Sequence, residues 1–203
     1  MTIAEQIYSK YKTQFNKFGV NTPLRLAHIF GQYKVEGGLK PKKENLNYSV
    51  DGLMRTFGRH RISEEDCKKY GRTTTKKADQ KAIANIVYGG EWGKKNLGNT
   101  QIGDGGKYIG RGFQITGRAN YQALSDFTGT DYINNPELLE READTIIAML
   151  WFWTAKGLNK YADKDDAVSI SKIINLGNVN SKATPNHLKE RIEAVKHYKT
   201  IFK

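Results

Sequence analysis

The 203-residue chain has only one cysteine, Cys67, so no disulfide can form within it. Its few histidines are scattered and show no spacing typical of metal ligands; they are His28, His60, His187 and His197. We therefore expect neither a disulfide scaffold nor a zinc module, and we predict no metal ion and no cofactor.

Long hydrophobic runs are also missing. The longest is 146–153, far shorter than the roughly 20 apolar residues that span a bilayer. The first residues include an acid, Glu5, and no apolar stretch of the kind that a secretory signal needs. With four prolines and no low-complexity segment, the chain is not expected to be disordered. We expect one globular domain over 1–203, made in a cytoplasm and not stably inserted in a membrane.

Positive charge, in contrast, is abundant. The chain carries 33 Lys and Arg against 21 Asp and Glu, a net charge of +12, and the excess is spread along the chain. Such a charge indicates an anionic partner, which could be nucleic acid, an anionic membrane or an acidic polymer such as a bacterial cell wall. Composition alone does not choose between these partners.

Apolar periodicity predicts a mainly α protein. Helices are predicted over 2–18, from Thr22-Pro23 to Gly37-Gly38, after Ser49, from Ser63, and over 78–88, 117–128, 136–155, 166–174 and 186–202. The glycine-rich segment 89–112 has no helical period and is predicted to be a long loop. Strand signals are limited to 108–109 and 113–116, so we expect at most a small β-hairpin.

Two glutamates suggest acid–base chemistry. The helix that begins at Pro23 places Glu36 on its apolar stripe, at the last turn before two glycines. Glu44 follows eight residues later in a loop rich in lysine. One carboxylate on a buried stripe and one in a cationic loop resemble the acid and base of glycosidic hydrolysis. Alternatively, the helix frays before Glu36, which is then solvated or paired with Lys34 or Lys40.

Several segments together resemble glycoside hydrolase family 19, in the branch of phage endolysins and lysozyme-like chitinases. They are 25–38 (RLAHIFGQYKVEGG), 44–49 (ENLNYS), 82–89 (AIANIVYG), 103–121 (GDGGKYIGRGFQITGRANY), 174–175 (IN) and 190–191 (ER). The resemblance covers about 23–200, and the order of these segments is more specific than any one of them.

The resemblance implies a lysozyme-superfamily α fold with a substrate cleft, which cleaves β-1,4 bonds of an N-acetylhexosamine polymer. It assigns Glu36 as the general acid, Glu44 as the base that activates water, and Thr116 as the hydroxyl that positions this water. The residues that match substrate-binding positions or offer an aromatic ring to a sugar are Gln114, Asn120, Asn175, Arg191, Tyr108 and Trp92. Trp92 is favoured over Trp151 and Trp153, which lie in the most apolar helix and are expected in the core.

The sequence also departs from the family pattern. Val35 and Gly37 flank the acid where the family usually has His and Ser or Thr, and the stretch between the acids is one residue shorter than in close endolysins. The segment after Asn175 lacks the Gly-Gly and acid of chitinase-like members. These changes keep a non-catalytic wall-binding module open as an alternative.

The leading prediction is an endolysin that hydrolyses bacterial peptidoglycan with inversion, acts as a monomer and lyses a host cell. It would be made in the host cytoplasm and reach the wall with the help of a separate membrane-permeabilising protein. We expect one catalytic domain over 1–203 with no separate wall-binding domain. The alternatives are a chitinase acting on GlcNAc polymers and a basic nucleic-acid-binding protein, although no helix is basic enough to suggest recognition of nucleic acid.

Overall fold

The computed structural model describes all 203 residues and is mainly α-helical, as predicted. In chain order the helices are α1 (Ile3–Lys10), α2 (Lys12–Lys17), α3 (Pro23–Gly37), α4 (Val50–Thr56), α5 (Glu64–Tyr70), α6 (Gln80–Val87), α7 (Gly90–Leu97), α8 (Asp104–Lys107), α9 (Arg118–Thr128), α10 (Glu142–Ala155), α11 (Asn159–Ala162), α12 (Ala167–Leu176) and α13 (Leu188–Ile201). A 3₁₀ helix, Pro136–Glu140, precedes α10. None of these helices is long and apolar enough to cross a membrane.

The chain divides into two compact units. The first consists of Met1–Pro41 and Arg141–Lys203, and the second consists of Lys42–Glu140. The single catalytic domain expected over 1–203 stays a prediction.

In the first unit, α3 begins and ends where its capping residues predict. The Thr22 hydroxyl accepts a hydrogen bond from the Arg25 N–H, and Pro23 takes the first helical position, where no intrahelical N–H bond is lost. Gly38 ends the helix in the left-handed conformation, with φ of 66°. These caps confirm the predicted helix and keep it helical through Glu36.

The core of the first unit contains α10. Ile146, Met149, Leu150 and Trp153 are fully buried, which confirms the expected core position of Trp153, whereas Trp151 is only partly buried. The predicted segment 136–155 is interrupted at Arg141, so that its first part is the 3₁₀ helix and only the second part is α-helical. The predicted helix over 2–18 is likewise broken, at Tyr11.

The second unit has its own apolar core. Its fully or almost fully buried members are Leu46, Leu53, Phe57, Ile62, Cys67, Ile83, Ala84, Val87 and Ile109. The sequence neighbours of Cys67 are charged, a pattern that favours an exposed or half-buried side chain. Instead α5 turns this one side chain inward, and the thiol sulfur accepts a hydrogen bond from Arg59 at 3.2 Å.

The prediction of a long loop over 89–112 is wrong, because the segment contains α7 and α8. Its glycines serve packing and helix ends. Gly98 ends α7 in the left-handed conformation, and a Cβ at Gly93 would lie 2.0 Å from the Tyr88 carbonyl oxygen. Frequent glycine is therefore compatible with helix here, since several positions have no room for a side chain.

The expected β structure is confined to isolated bridges. Arg111 pairs with Ile115 in a tight antiparallel turn, and it also pairs with Lys43. A third bridge joins Ser49 and Arg72. This agrees with the prediction of a small hairpin at most, and the turn places the segment 110–116 beside the loop that carries Glu44.

The packing of α3 against α13 generates a stability prediction. A Cβ at Gly31 would lie 2.6 Å from Val195 Cγ2 and 2.9 Å from the Val195 backbone nitrogen. Gly31→Ala should lower the free energy of unfolding by about 1–2 kcal/mol, because the overpacking cost exceeds the gain in helix propensity. Urea unfolding at constant pH measures the change.

A double-mutant cycle with Val195→Ala provides the control. The double variant should lose less stability than the sum of the two single variants, because the closest atom, Cγ2, is gone. An unfolding midpoint for Gly31→Ala at or above that of the parent would contradict the close approach.

Candidate active site

Glu36 lies on the buried side of α3, as its spacing predicts. Its side chain is 19% exposed and is paired with the guanidinium of Arg191, which is only 2% exposed. The helix continues to Gly37, so the alternative in which it frays before Glu36 is wrong. The partner is also not Lys34 or Lys40 but a residue of α13, at the other end of the chain.

Arg191 connects Glu36 to a chain of buried hydrogen bonds. Its Nη2 donates to Glu36, its Nη1 donates to Gln32 Oε1 at 2.7 Å, and its Nε donates to the carbonyl oxygen of Asn186 at 2.9 Å. The Gln32 amide in turn donates to the Ser171 hydroxyl of α12 at 3.1 Å. Four separate parts of the first unit therefore fix the orientation of the Glu36 carboxylate.

Asn175 supports the same region from a short distance away. Its Oδ1 accepts a hydrogen bond from the Asn186 N–H at 2.8 Å, and Asn186 holds Arg191 through its carbonyl oxygen. The structure thus brings Asn175, Arg191 and Glu36 together within the first unit, as the resemblance implies. Arg191 is buried under its partners, so it contacts the carboxylate of Glu36 rather than offering a surface to a sugar.

Glu44 is held by neutral donors in the second unit. The Tyr88 hydroxyl donates to Oε1 at 2.5 Å and the Gly110 N–H donates to Oε2 at 3.3 Å. The backbone N–H of Glu44 also donates to the Gly110 carbonyl oxygen at 2.7 Å. Burial raises the pKa of Tyr88, and the adjacent Glu44 carboxylate raises it further, so the hydroxyl keeps its proton and remains a donor.

Gly110 brings the polar groups around Glu44 to one place. A Cβ at this position would lie 2.6 Å from Gln114 Oε1, 3.3 Å from Thr116 Oγ1 and 3.4 Å from Glu44 Oε2. The Thr116 hydroxyl donates to the Gln114 carbonyl oxygen at 3.0 Å. Asn120 Nδ2 donates to the Thr116 carbonyl oxygen at 2.8 Å and so ties this segment to α9. The predicted Glu44, Gln114, Thr116 and Asn120 are therefore neighbours.

Tyr108 does not have the predicted role. Its side chain is completely buried, its ring lies 5.1 Å from the ring of Tyr121, and its hydroxyl donates to the Ile133 carbonyl oxygen at 3.2 Å. The side chain therefore cannot contact a sugar. Tyr108 instead packs against Tyr121 and supports α8 and α9.

Trp92 is half-buried, and Arg61 lies over its ring. The centre of the Arg61 guanidinium is 3.8 Å from the ring centroid, and Arg61 Nε and Nη2 both donate to the Val87 carbonyl oxygen. Burial lowers the pKa of Arg61, whose guanidinium, like other arginines in proteins, carries a positive charge. One face of Trp92 is thus already occupied by a cation–π contact.

Each unit therefore presents one carboxylate with its own set of partners. Glu36 is paired with a buried cation, whereas Glu44 accepts hydrogen bonds from a hydroxyl and a backbone N–H. Carboxylates held in different environments can take different roles in proton transfer. No group of three or more His, Cys, Asp and Glu side chains is arranged to hold a metal ion.

Sequence reasoning missed several supporting residues. Gln32, Ser171 and Asn186 link Arg191 to its surroundings, and Tyr88 donates to Glu44. Gln32 had a usable signal, because it lies one helical turn before Glu36 and interrupts an otherwise apolar face. The others come from distant parts of the chain, and nothing in their local sequence identifies their partners.

Comparisons with known proteins agree with the family resemblance. The family model described as Chitinase class I matches residues 89–172, which include α7 to α9, Gly110 and Thr116. A glycosyl hydrolase family 19 domain-containing protein of Haemophilus influenzae is 33% identical over 174 residues. The match covers 84% of this chain and 80% of that protein.

Plant chitinases match shorter stretches. The acidic 27 kDa endochitinase of Solanum lycopersicum is 33% identical over 91 residues, which cover 43% of this chain and 36% of that protein. Chitinase 8 of Oryza sativa subsp. japonica is 43% identical over 53 residues, which cover 25% of this chain and 20% of the rice protein. The chain thus spans only a part of these plant proteins.

The Arg191–Glu36 pair generates a second prediction. Arg191→Met should lower the free energy of unfolding by about 3 kcal/mol, because it leaves a half-buried carboxylate and the buried Gln32 oxygen without their donor. Adding Glu36→Gln to Arg191→Met should recover part of this loss, since the unpaired charge is removed. Chemical denaturation of the parent, both single variants and the double variant gives the coupling free energy. Additive losses would show that the two residues are not energetically coupled.

Proposed function

Because this chain belongs to glycoside hydrolase family 19, and is a chitinase-like glycoside hydrolase, we propose that its substrate is the glycan of bacterial peptidoglycan. In this proposal it is an endolysin that cleaves β-1,4 bonds of the wall polymer. The net charge of +12 is the observation that favours peptidoglycan as the substrate. Peptidoglycan bears many carboxylates, whereas chitin is an uncharged polymer, so only the former gains from such a charge.

The proposed chemistry uses Glu36 as general acid and Glu44 as general base. Glu36 donates its proton to the glycosidic oxygen as the bond to the anomeric carbon breaks. Glu44 removes a proton from a water molecule, whose oxygen bonds to the same carbon from the opposite side, with inversion. Arg191 orients Glu36, and Tyr88 and Gly110 orient Glu44. The acid role also requires Glu36 to take up a proton from solvent beside Arg191 before each turnover, because an adjacent cation favours the ionised carboxylate.

Thr116 is proposed to position the attacking water. Its hydroxyl lies beside Gly110, together with Glu44 Oε2 and the side chain of Gln114. A water held by both the hydroxyl and the carboxylate would be oriented before the reaction, which lowers the entropic part of the barrier. Asn120 supports this arrangement through its hydrogen bond to the Thr116 carbonyl oxygen.

The biological setting is proposed along the same lines. The enzyme acts as a monomer in lysis of a bacterial host by a phage. It is made in the host cytoplasm and reaches the wall after a separate protein has permeabilised the membrane. In this proposal the positive charge binds the anionic cell wall, and nucleic acid is not a partner.

Chitin is the second candidate substrate. The matching family model is described as Chitinase class I, and the rice and tomato relatives are named chitinases. A GlcNAc polymer contains the same type of β-1,4 bond, and the proposed acid and base would act on it in the same way. Charge favours peptidoglycan, whereas the names of these relatives favour chitin.

Product analysis distinguishes the two substrates. Purified peptidoglycan and chitin oligomers are digested separately, and the fragments are identified by mass spectrometry. We expect soluble muropeptides whose new reducing end identifies the bond that is cut, with slower turnover of chitin oligomers. Cleavage of chitin oligomers without any release of muropeptides would overturn peptidoglycan as the substrate.

The catalytic assignment gives a third prediction. Glu36→Gln should lower kcat on peptidoglycan by about 10²- to 10⁴-fold, the usual contribution of a general acid. Glu44→Gln and Thr116→Val should also cause large losses, although smaller ones, because bulk water can partly replace a base and the hydroxyl only orients the nucleophile.

The control is Glu137→Gln, at an exposed acid outside both sites, which should keep the parental rate. Circular dichroism and thermal unfolding must show that each variant is folded. More than a tenth of the parental activity in Glu36→Gln would remove this residue from the mechanism.

A further inference from the structure

Glu44 lies in the wall of a groove within the second unit. The groove has a volume of about 710 Å³ and is lined by the loop before α4, by α6 and by the segment 101–118. Two of its walls, α6 and α8, pack closely. A Cβ at Gly105 would lie 2.6 Å from the Ala84 carbonyl oxygen, and the Gly106 N–H donates to Asn85 Oδ1 at 2.6 Å. The groove is therefore formed by fixed elements.

Charges in this groove are unevenly paired. Arg118 Nε and Nη2 donate to the two carboxylate oxygens of Asp104, both at 2.8 Å, so these two charges compensate each other. The other three cations in the lining, Lys43, Lys81 and Lys107, are exposed and form no ion pair. Lys107 is close enough to Asp131 to contribute to the lowered pKa of that residue, after the hydrogen bonds from Asn134.

The three lysines come from three different elements. Lys43 immediately precedes Glu44, Lys81 lies in the first turn of α6, and Lys107 ends α8. Glu44 is the only other charged residue of the lining, and its hydrogen bonds come from neutral groups. The Lys107 ammonium lies 5.4 Å from the ring centroid of Tyr108, but none of the three lysines has an ion-pair partner. Three such cations in one groove attract anions, since each lysine is a mobile point charge on a flexible stem.

We propose that Lys43, Lys81 and Lys107 bind carboxylates of the peptides attached to the glycan strand and thereby select peptide-bearing glycan. This inference rests on the proposed function and names the part of the substrate that the groove recognises. The ligand must lie beside the bond that is cut, because the groove contains Glu44. A peptide linked to the sugar itself meets this condition, and ammonium groups on flexible stems can follow carboxylates that lie on a flexible peptide.

The test compares two soluble substrates with the same sugars. One is a glycan fragment that carries uncrosslinked peptides and no other wall polymer. The second is the same fragment after an amidase has removed the peptides. The measured quantity is the ratio of kcat/KM for the first substrate to kcat/KM for the second, at low and at high salt.

The variant is Lys43→Gln/Lys81→Gln/Lys107→Gln. Its matched control is Lys77→Gln/Lys94→Gln/Lys95→Gln, which has the same net charge and changes exposed lysines of the same unit outside the groove lining. We expect the groove variant to lower the ratio about tenfold at low salt, which corresponds to about 1.4 kcal/mol. The loss should lie mainly in KM and should shrink at high salt, because exposed ion pairs are screened.

Three results would overturn the inference: an equal loss in both triple variants, an equal loss on both substrates, or a change in kcat alone. Failure of the proposed function has a different signature. In that case the parent neither cleaves the peptide-bearing fragment nor binds it in equilibrium titration, but still cleaves chitin oligomers. A parent that cleaves both fragments with a ratio of one would reject only the role of the groove.

Discussion

The ion pair between Glu36 and the buried Arg191 is the constraint on which the first unit depends. A guanidinium that is 2% exposed needs acceptors within the protein, and Asn186, Gln32 and Glu36 each accept a hydrogen bond from one of its three nitrogens. This requirement determines which faces of α3 and α13 meet. The absence of a side chain at Gly31 then allows the two helices to come close enough for the pair to form. The packing of α3 against α13 and the orientation of the Glu36 carboxylate therefore depend on the same contacts.

The second unit orients its carboxylate by a different principle. Here the backbone of Gly110 both donates to Glu44 and leaves room for Gln114 and Thr116, so the site is built around a missing side chain. Tyr88 completes the set with a hydroxyl whose proton is retained because the ring is buried. No cation pairs with Glu44, which remains free to accept a proton from water in the proposed mechanism. Glu36 and Glu44 therefore differ in their environment mainly because Glu36 is paired with a cation and Glu44 accepts hydrogen bonds from neutral groups.

Much of the fold could be predicted because its signals are local. Thr22, Ser49 and Asp79 each cap the helix that follows, and α10 is recognisable as a core helix because its sequence is apolar over most of its length. The prediction of a loop over 89–112 is wrong because a high glycine content does not always indicate a loop. In the structure these glycines allow close approach between elements.

The candidate site was only partly predictable, because its contacts join residues that are far apart in the sequence. Glu36 and Glu44 could be found from helical spacing and family resemblance. The contacts that decide their environment could not, since Arg191 is 155 positions from Glu36 and Tyr88 is 44 positions from Glu44. The family resemblance also assigned a sugar-binding role to Tyr108, which lies within a matching segment. In the structure this side chain is buried and only contributes to packing.

In the proposed mechanism Glu44 activates water and does not attack the sugar itself. Time-resolved NMR of the newly formed reducing end tests this role of Glu44 most directly, with peptide-bearing glycan as substrate and a short enough time to precede mutarotation. A base gives inversion, whereas a carboxylate nucleophile gives retention through a covalent intermediate. We predict that the α-anomer accumulates first from the β-linked chain. Initial accumulation of the β-anomer would contradict the roles assigned to both Glu44 and Thr116.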